Sequence, residues 1–286
     1  MRDAKSKPRR APMAFLIASL WLIAAPGAAA AAELKLYVLD CGHASFKDMG
    51  GFSDTGEYDG MPGEIAVPCF LIQHSKGNLL WDAGLGDRFA ANKDGSDVAP
   101  GVHVTVPVTL LAQLQSLGLT PKEITFLAFS HLHWDHTGNA NEFSDSVWIM
   151  NSAELAAGLT LPPPGGVLPE TWNAYKNAKN ETIDGDFDVF GDGTVMILRA
   201  PGHTPGHQVL KLKLQKSGTV ILSGDLYHLR ANQMFKRVPV YNTNRADTLA
   251  SMSRVETIIK NLGGRLIVQH DPKDYEALPK PPAFLD

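Results

Sequence analysis

Residues 131–136 read His131-Leu132-His133-Trp134-Asp135-His136, which places three imidazoles and a carboxylate within six positions. Protonated imidazoles this close repel one another, and all four groups are costly to take out of water. A divalent cation removes both penalties, and imidazole nitrogen and carboxylate oxygen are ligands that zinc accepts. Apolar Phe126-Leu127-Ala128-Phe129 leads into the segment and Thr137-Gly138-Asn139 leads out. Leu132 and Trp134, between the candidate ligands, are expected to turn away into packing.

More groups of the same kind follow downstream. His203 lies in Ala200-Pro201-Gly202-His203-Thr204-Pro205-Gly206-His207, Asp225 ends the run Thr219-Val220-Ile221-Leu222-Ser223-Gly224, and His270 ends Leu266-Ile267-Val268-Gln269. Each stands just past a β-type run, where the strands of a layered sheet deliver side chains to one edge. The pattern is that of one metal site assembled from distant segments, rather than a polar loop with scattered histidines.

With these residues in this order the chain resembles the metallo-β-lactamase superfamily. Its signature is His-x-His-x-Asp-His, then a lone His, a bridging Asp and a last His. His131, His133, Asp135, His136, His203, Asp225 and His270 match it one by one, and Asp82 in Leu79-Leu80-Trp81-Asp82-Ala83-Gly84 matches an early strand-end aspartate. The resemblance runs roughly from Leu34 to the C-terminus. It implies an α/β fold, a four-layer αββα sandwich of the metallo-β-lactamase type with the site at the sandwich edge. It also implies two divalent metal ions per chain, with zinc expected and Mn, Fe or Co compatible with the ligands. His131, His133 and His203 would take one ion, Asp135, His136 and His270 the other, and Asp225 would bridge them. Ions about 3.5–4 Å apart can hold a hydroxide and supply a nucleophile at neutral pH. The reaction class is hydrolysis of an ester, lactone, thioester or amide.

The bridging carboxylate is typical of lactonases and glyoxalase II-type enzymes, whereas true zinc β-lactamases generally lack it. His133 stands where redox di-iron members carry a Glu. The flanks Leu39-Asp40-Cys41-Gly42, Val67-Pro68-Cys69-Phe70-Leu71-Ile72, Ser223-Gly224-Asp225-Leu226-Tyr227 and Asn242-Thr243-Asn244 look like the N-acyl-homoserine lactonase family. That resemblance implies opening of the lactone ring of N-acyl-homoserine lactones by attack of a metal-bridging hydroxide. The alternatives are an organophosphate or aryl-ester hydrolase or a β-lactamase on the same site, and a non-catalytic periplasmic zinc-binding protein.

One position departs from the family. The best-known lactonases place a catalytic Tyr three residues after the bridging Asp; here that residue is His228, and Tyr227 comes one residue early. Neighbours on an extended segment point to opposite sides. His228 is therefore expected to donate to the substrate and Tyr227 to line the pocket, so that Asp135, His228 and Tyr227 form the catalytic set. Asp82 is expected to support a ligand loop by hydrogen bonds, His207 to be an ordinary histidine one strand residue away from the site, and His43, His74 and His103 to be surface or loop histidines.

The elements that must position these groups read as follows. Leu34–Leu39 opens the fold as a strand, and a long Gly- and Asp-rich loop, 42–64, carries Phe46, Met49, Phe52, Tyr58 and Met61, which suit either an acyl-chain pocket or ordinary packing. Residues 65–73 and 78–81 form a hairpin, 108–117 a helix ended by Gly118, and Thr120-Pro121-Lys122-Glu123 a capping box before the strand 124–129. Asn151 caps a short helix, Pro162–Gly166 is a linker inside an insertion, and 170–179 is expected to be helical. Strands follow at 186–190, 194–198, 208–214 and 219–222. A helix capped by Asn244 shows Leu249, Met252, Val255, Ile259 and Leu262 on one face, and a last strand delivers His270.

The chain has 286 residues and a formal charge of −4. Its first 32 residues combine a basic stretch, Arg2 to Arg10, with an apolar run, Met13–Ala25, too short to span a membrane, and an alanine tract. This reads as a secretory signal peptide at 1–32, followed by one hydrolase domain at 33–286 and a periplasmic or secreted location with no stable membrane anchor. Its loss takes five basic residues and one acidic one and brings the charge from −4 to −8. An acidic chain without basic runs excludes nucleic acid as a partner. The expected partner is a small-molecule acyl lactone or ester; a homodimer is an allowed assembly. Cys41 and Cys69 suit a disulfide in an oxidising compartment and buried thiols equally well.

Overall fold

The computed structural model describes Met1 and residues 33–286, and the latter belong to one compact unit. The signal-peptide segment lies outside the described residues. Among the described residues thirteen strands form two sheets. The first contains β1 (Lys35–Phe46), β2 (Gly63–His74), β3 (Gly77–Trp81), β4 (Ser96–Ala99), β5 (Val102–Thr105), β6 (Ile124–Ala128), β7 (Val147–Asn151) and β8 (Lys179–Ile183), in the spatial order β4-β5-β1-β2-β3-β6-β7-β8. The second contains β9 (Phe187–Asp188), β10 (Val195–Arg199), β11 (Gln208–Leu214), β12 (Gly218–Leu222) and β13 (Arg265–Ile267), in the order β13-β12-β11-β10-β9.

Side chains alternate across a strand, and here both faces are covered. On β2, Phe70 and Ile72 enter the core between the sheets, where they meet Val195, Ile197, Leu210, Leu212, Val220 and Leu222 of the second sheet. Cys69 and Leu71 face the other way, into a core closed by Leu110 and Leu114 of α1 (Leu110–Ser116) together with Phe143 and Trp148. On the second sheet, Val209 and Ile221 pack outward on Met252 and Val255 of α5 (Arg245–Leu262). The layers are thus α, β, β, α, as expected. Burial on both faces is also why β2, β6 and β12 read as continuous apolar runs rather than as alternating ones.

The short helices are α2 (Trp134–Thr137), α3 (Ser152–Gly158), α4 (Arg230–Phe235) and α6 (Pro272–Glu276). The expected caps form: Asn151 Oδ1 accepts from Ala153 and Glu154, Asn244 Oδ1 from Ala246 and Asp247, and Thr120 and Glu123 close their box. That box opens a three-residue 3-10 turn, because Ile124 already belongs to β6.

Several expectations need correction. The long loop shrinks to 47–62, because β1 continues to Phe46 and pairs with both β2 and β5. Residues 170–179 form two 3-10 turns rather than a helix, and Lys179 starts β8. Leu262 is exposed at the end of α5. Cys41 and Cys69 are joined in a disulfide, Cα to Cα 5.7 Å, which ties β1 to its neighbour β2. Among the described residues no helix is long and apolar enough to cross a membrane.

Candidate metal centre

β3 and β6 run parallel, as do β12 and β13. Parallel strands share an edge at their carboxyl ends, where open α/β sheets place their sites. Asp82 follows β3, the His-rich segment follows β6, Asp225 follows β12 and His270 follows β13. His203 comes from the β10–β11 connection, with β10 antiparallel to β11 and β11 antiparallel to β12. All seven predicted groups meet at this edge.

They form two clusters. Ligand-capable atoms of His131, His133, His203 and Asp225 lie within 4.8 Å of one another, as do those of Asp135, His136 and His270. Asp225 stands between them. Its Oδ1 is 3.1 Å from His136 Nε2 and 2.9 Å from His270 Nε2, while its Oδ2 is 3.3 Å from His203 Nε2 and 3.6 Å from His131 Nε2. Each carboxylate oxygen therefore faces one cluster.

The groups behind the histidines fix which ring nitrogen is free. Asp82 Oδ2 is 2.9 Å from His136 Nδ1, 3.0 Å from Ser130 Oγ and 2.7 Å from Gln269 Nε2, and Asp82 Oδ1 accepts from the Ser130 N–H at 2.7 Å. Ser130 Oγ, donating to Asp82, is left to accept from His131 Nδ1 at 3.0 Å. His270 Nδ1 donates to Ala66 O at 2.6 Å. Nε2 of His131, His136 and His270 is thereby left with its lone pair toward the cluster, the arrangement a metal-binding imidazole needs. His131 Nε2 and Asp225 Oδ1 are buried and lack a hydrogen-bond partner. Buried polar atoms without partners are rare, and a cation among these donors satisfies them. The donor set fits a metal.

The electrostatics follow from the crowding of these groups around Asp225. Burial, then the neighbouring His136, holds His131 well below the ordinary imidazole pKa, and burial, then His203, does the same to His133. Burial also opposes charge on His136, but Asp225, Asp82 and Asp135 outweigh it and raise that ring. Asp225 is held far down; burial pushes it up and the imidazoles, His270 first, prevail.

His207, expected to be an ordinary histidine beside the site, instead supports it through the backbone. Its Nδ1 donates to Ala200 O at 3.0 Å and its Nε2 accepts the Asp225 N–H at 2.9 Å. Burial takes its pKa down to about 3.

The pair at 227 and 228 divides as the strand geometry demands. His228 faces the centre, with Nε2 3.0 Å from Asp225 Oδ2. Tyr227 does not line the pocket, contrary to expectation. It is buried against α5, where its hydroxyl reaches Glu256 Oε1 at 3.1 Å.

Other expectations divide as well. Leu132 is packed into the core, but Trp134 lines the cavity. His74 is buried on β2 beside Asp192, not at the surface, and His43 and His103 lie on β1 and β5. Of the loop residues, Phe46 and Phe52 line the cavity, Met49 and Tyr58 pack beneath it, and Met61 is exposed.

Two positions beside the centre escape sequence reasoning. Glu154 reads as a helix-capping acid. In the structure its Oε1 accepts from Leu132 N at 2.9 Å and its Oε2 from Gly206 N at 3.0 Å, so it clamps the two histidine loops together. Tyr241 sits in the α4–α5 connection with its hydroxyl 3.3 Å from His228 Nε2. Only its place beside the Asn242-Thr243-Asn244 flank hints at a role.

The centre lies on a cavity of about 950 Å³ whose lining includes Phe46, Phe52, Ile65, Leu85, Phe89 and Val102. An αββα sandwich with two facing His/Asp clusters on its edge and an apolar chamber beside them is the architecture of a metal-dependent hydrolase. The metallo-beta-lactamase superfamily model matches residues 62–270, and the chain belongs to that superfamily. It is 29% identical over 265 residues to an N-acyl homoserine lactonase of Azorhizobium caulinodans, covering 89% of this chain and 99% of that protein. It also resembles the crystal structure of an AiiA mutant of Bacillus thuringiensis with N-decanoyl-L-homoserine bound at its active site. That match has a TM-score of 0.76, 25% identity and coverage of 87% of this chain and 98% of the other. The dizinc quorum-quenching lactonase AidC shares the fold at a TM-score of 0.65 and 20% identity, over 84% of this chain and 88% of the other.

Proposed function

We propose that this protein opens the lactone ring of N-acyl-homoserine lactones, with two divalent metal ions, outside the cytoplasm. The observation that carries the dinuclear reading is Asp225, whose two oxygens each face a separate cluster of imidazoles. His131, His133 and His203 would hold one ion, and Asp135, His136 and His270 the other. Bound there, such ions supply an activated water and polarise a carbonyl. The overall step adds water across the acyl C–O bond, giving a carboxylate, an alcohol and a released proton. Zinc suits the imidazole and carboxylate set best.

The substrate reading rests on the lactonase relatives and on the apolar chamber. Phe46, Phe52, Ile65 and Phe89 offer an acyl tail a wall from which water is excluded, while the ring meets the polar edge. The location reading rests on the signal-type N-terminus and on the Cys41–Cys69 bond, which forms in oxidising compartments. No stable anchor is needed, and a homodimer is compatible with the fold.

Assaying acyl lactones, nitrocefin and paraoxon side by side, with and without chelator, tests the assignment. Lactone turnover abolished by chelator and restored by zinc is the expected result. Preference for paraoxon or nitrocefin would transfer the site to another hydrolase class. Metal binding without turnover would leave a zinc-binding protein.

A further inference from the structure

We propose that Tyr241 supplies the hydrogen bond to the substrate carbonyl oxygen, and that His228 is spent on holding Asp225. The inference rests on the lactonase reading for its substrate, and on the following geometry for its residue.

His228 is buried. Its Nδ1 is buried without a partner, and its Nε2 is 3.0 Å from Asp225 Oδ2. An ionised carboxylate only accepts, so a proton sits on Nε2 beside it. The ring nitrogen that faces the centre is therefore engaged with Asp225, and Nδ1 is buried. Tyr241 Oη lies 3.3 Å from the same Nε2, which as a donor cannot accept from it. The phenol O–H is therefore uncommitted, at the edge of the centre.

The phenol is also held in place. Val240 N donates to Gly51 O at 3.0 Å, Thr243 N to His203 O at 3.0 Å and Asn244 N to Gly202 O at 2.8 Å. These bonds pin the segment bearing Tyr241 to the cavity loop on one side and to the His203 loop on the other. Phe52 stands edge-on to both rings, 5.2 Å from His228 and 5.9 Å from Tyr241 between centroids. Tyr241 lines the cavity together with His228 and Asp225. A fixed donor whose proton has no other partner is the device that stabilises charge as it develops on a carbonyl oxygen. Tyr227, although nearer Asp225 in sequence, gives its hydroxyl to Glu256 and cannot take this part.

The test compares Tyr241→Phe with Tyr227→Phe in zinc-loaded protein. Tyr241→Phe should lower kcat on acyl lactone roughly 100- to 1000-fold, with zinc content unchanged. By calorimetry it should weaken a non-hydrolysable lactam analogue roughly 3- to 10-fold, the loss of one neutral hydrogen bond. Tyr227→Phe should leave both readings alone. A Tyr241→Phe enzyme with wild-type kcat and wild-type lactam affinity overturns the proposal. If wild type prefers paraoxon or nitrocefin, the lactonase reading falls by itself, and the same pair of variants on that substrate decides Tyr241. A wild type inert toward all three overturns both.

Discussion

Asp82 Oδ2 lies 2.9 Å from His136 Nδ1, and the residue that places it there adopts φ +61°, in the left-handed region. Non-glycine residues are uncommon in that region, with Asp and Asn the usual exceptions. The chain accepts this backbone because the turn after β3 aims one carboxylate at Ser130, Gln269 and His136 together. Asp82 never reaches the clusters itself; it sets the orientation of rings that do.

Asp82→Asn keeps a residue that tolerates the turn but removes the negative charge and replaces one acceptor oxygen with a donor. Removing such a partner of a metal-binding histidine typically costs about 10- to 100-fold in metal affinity. Competition against a chromogenic chelator should show that loss on one of two ions, with near-native circular dichroism. Undiminished affinity for both ions would mean that the ring orientation is set by packing alone.

Asp225→Ala should remove the group shared by the clusters. Wild type is expected to carry two ions per chain by elemental analysis. The variant should keep part of its metal on His131, His133 and His203 and lose most activity. A fully active wild type carrying one ion would end the dinuclear mechanism.

Glu154→Ala should loosen the join between the two histidine loops. It leaves the N–H groups of Leu132 and Gly206 buried and unpaired, each at a cost of about 1–3 kcal/mol. For a chain of this size each kcal/mol lowers Tm by about 2–4 °C. A melting temperature equal to wild type would show that the two loops hold each other without the clamp.

Much of this was legible in the sequence because the physics is local. Runs such as Val67–Ile72 and Val220–Leu222 are apolar enough to require burial, and Asn244 and Gly263 bracket α5 with a side-chain cap and a left-handed end. The seven candidate ligands were legible because strand ends converge on one edge. β8 was not, since four of its five residues are exposed at the sheet edge and show no apolar pattern. Glu154 was hidden by its position, which a helix-capping acid would also occupy. Tyr241 was hidden because nothing in sequence spacing shows that the α4–α5 connection folds back onto His228.

His207 makes the stability of the site depend on pH, with a definite sign. Its folded pKa is about 3, against an ordinary value of 6.5. Between those values the unfolded chain binds a proton that the fold excludes, so this contribution is complete above pH 6.5 and declines as the pH falls toward 3. His207→Gln, which keeps an acceptor for the Asp225 N–H, should flatten the decline in urea-unfolding free energy between about pH 6.5 and 5. The limiting slope for one group is about 1.4 kcal/mol per pH unit. An identical slope in the variant would show that His207 is not the group taking the proton.

The disulfide and the N-terminus give the location a joint test. Cys41 and Cys69 sit on adjacent strands in the middle of the first sheet, and each is nearly inaccessible. A bond there forms as the chain folds in an oxidising compartment, and reducing agents reach it poorly afterwards. Protein recovered from the periplasm should therefore begin between Ala31 and Glu33 and show no free thiol after denaturation without reductant. Intact mass reads the first and thiol titration the second. A membrane-retained product keeping Met13 to Ala25 would replace secretion with anchoring. Two free thiols in exported, active protein would instead remove the covalent tie between β1 and β2, leaving the signal segment as the sole ground for export.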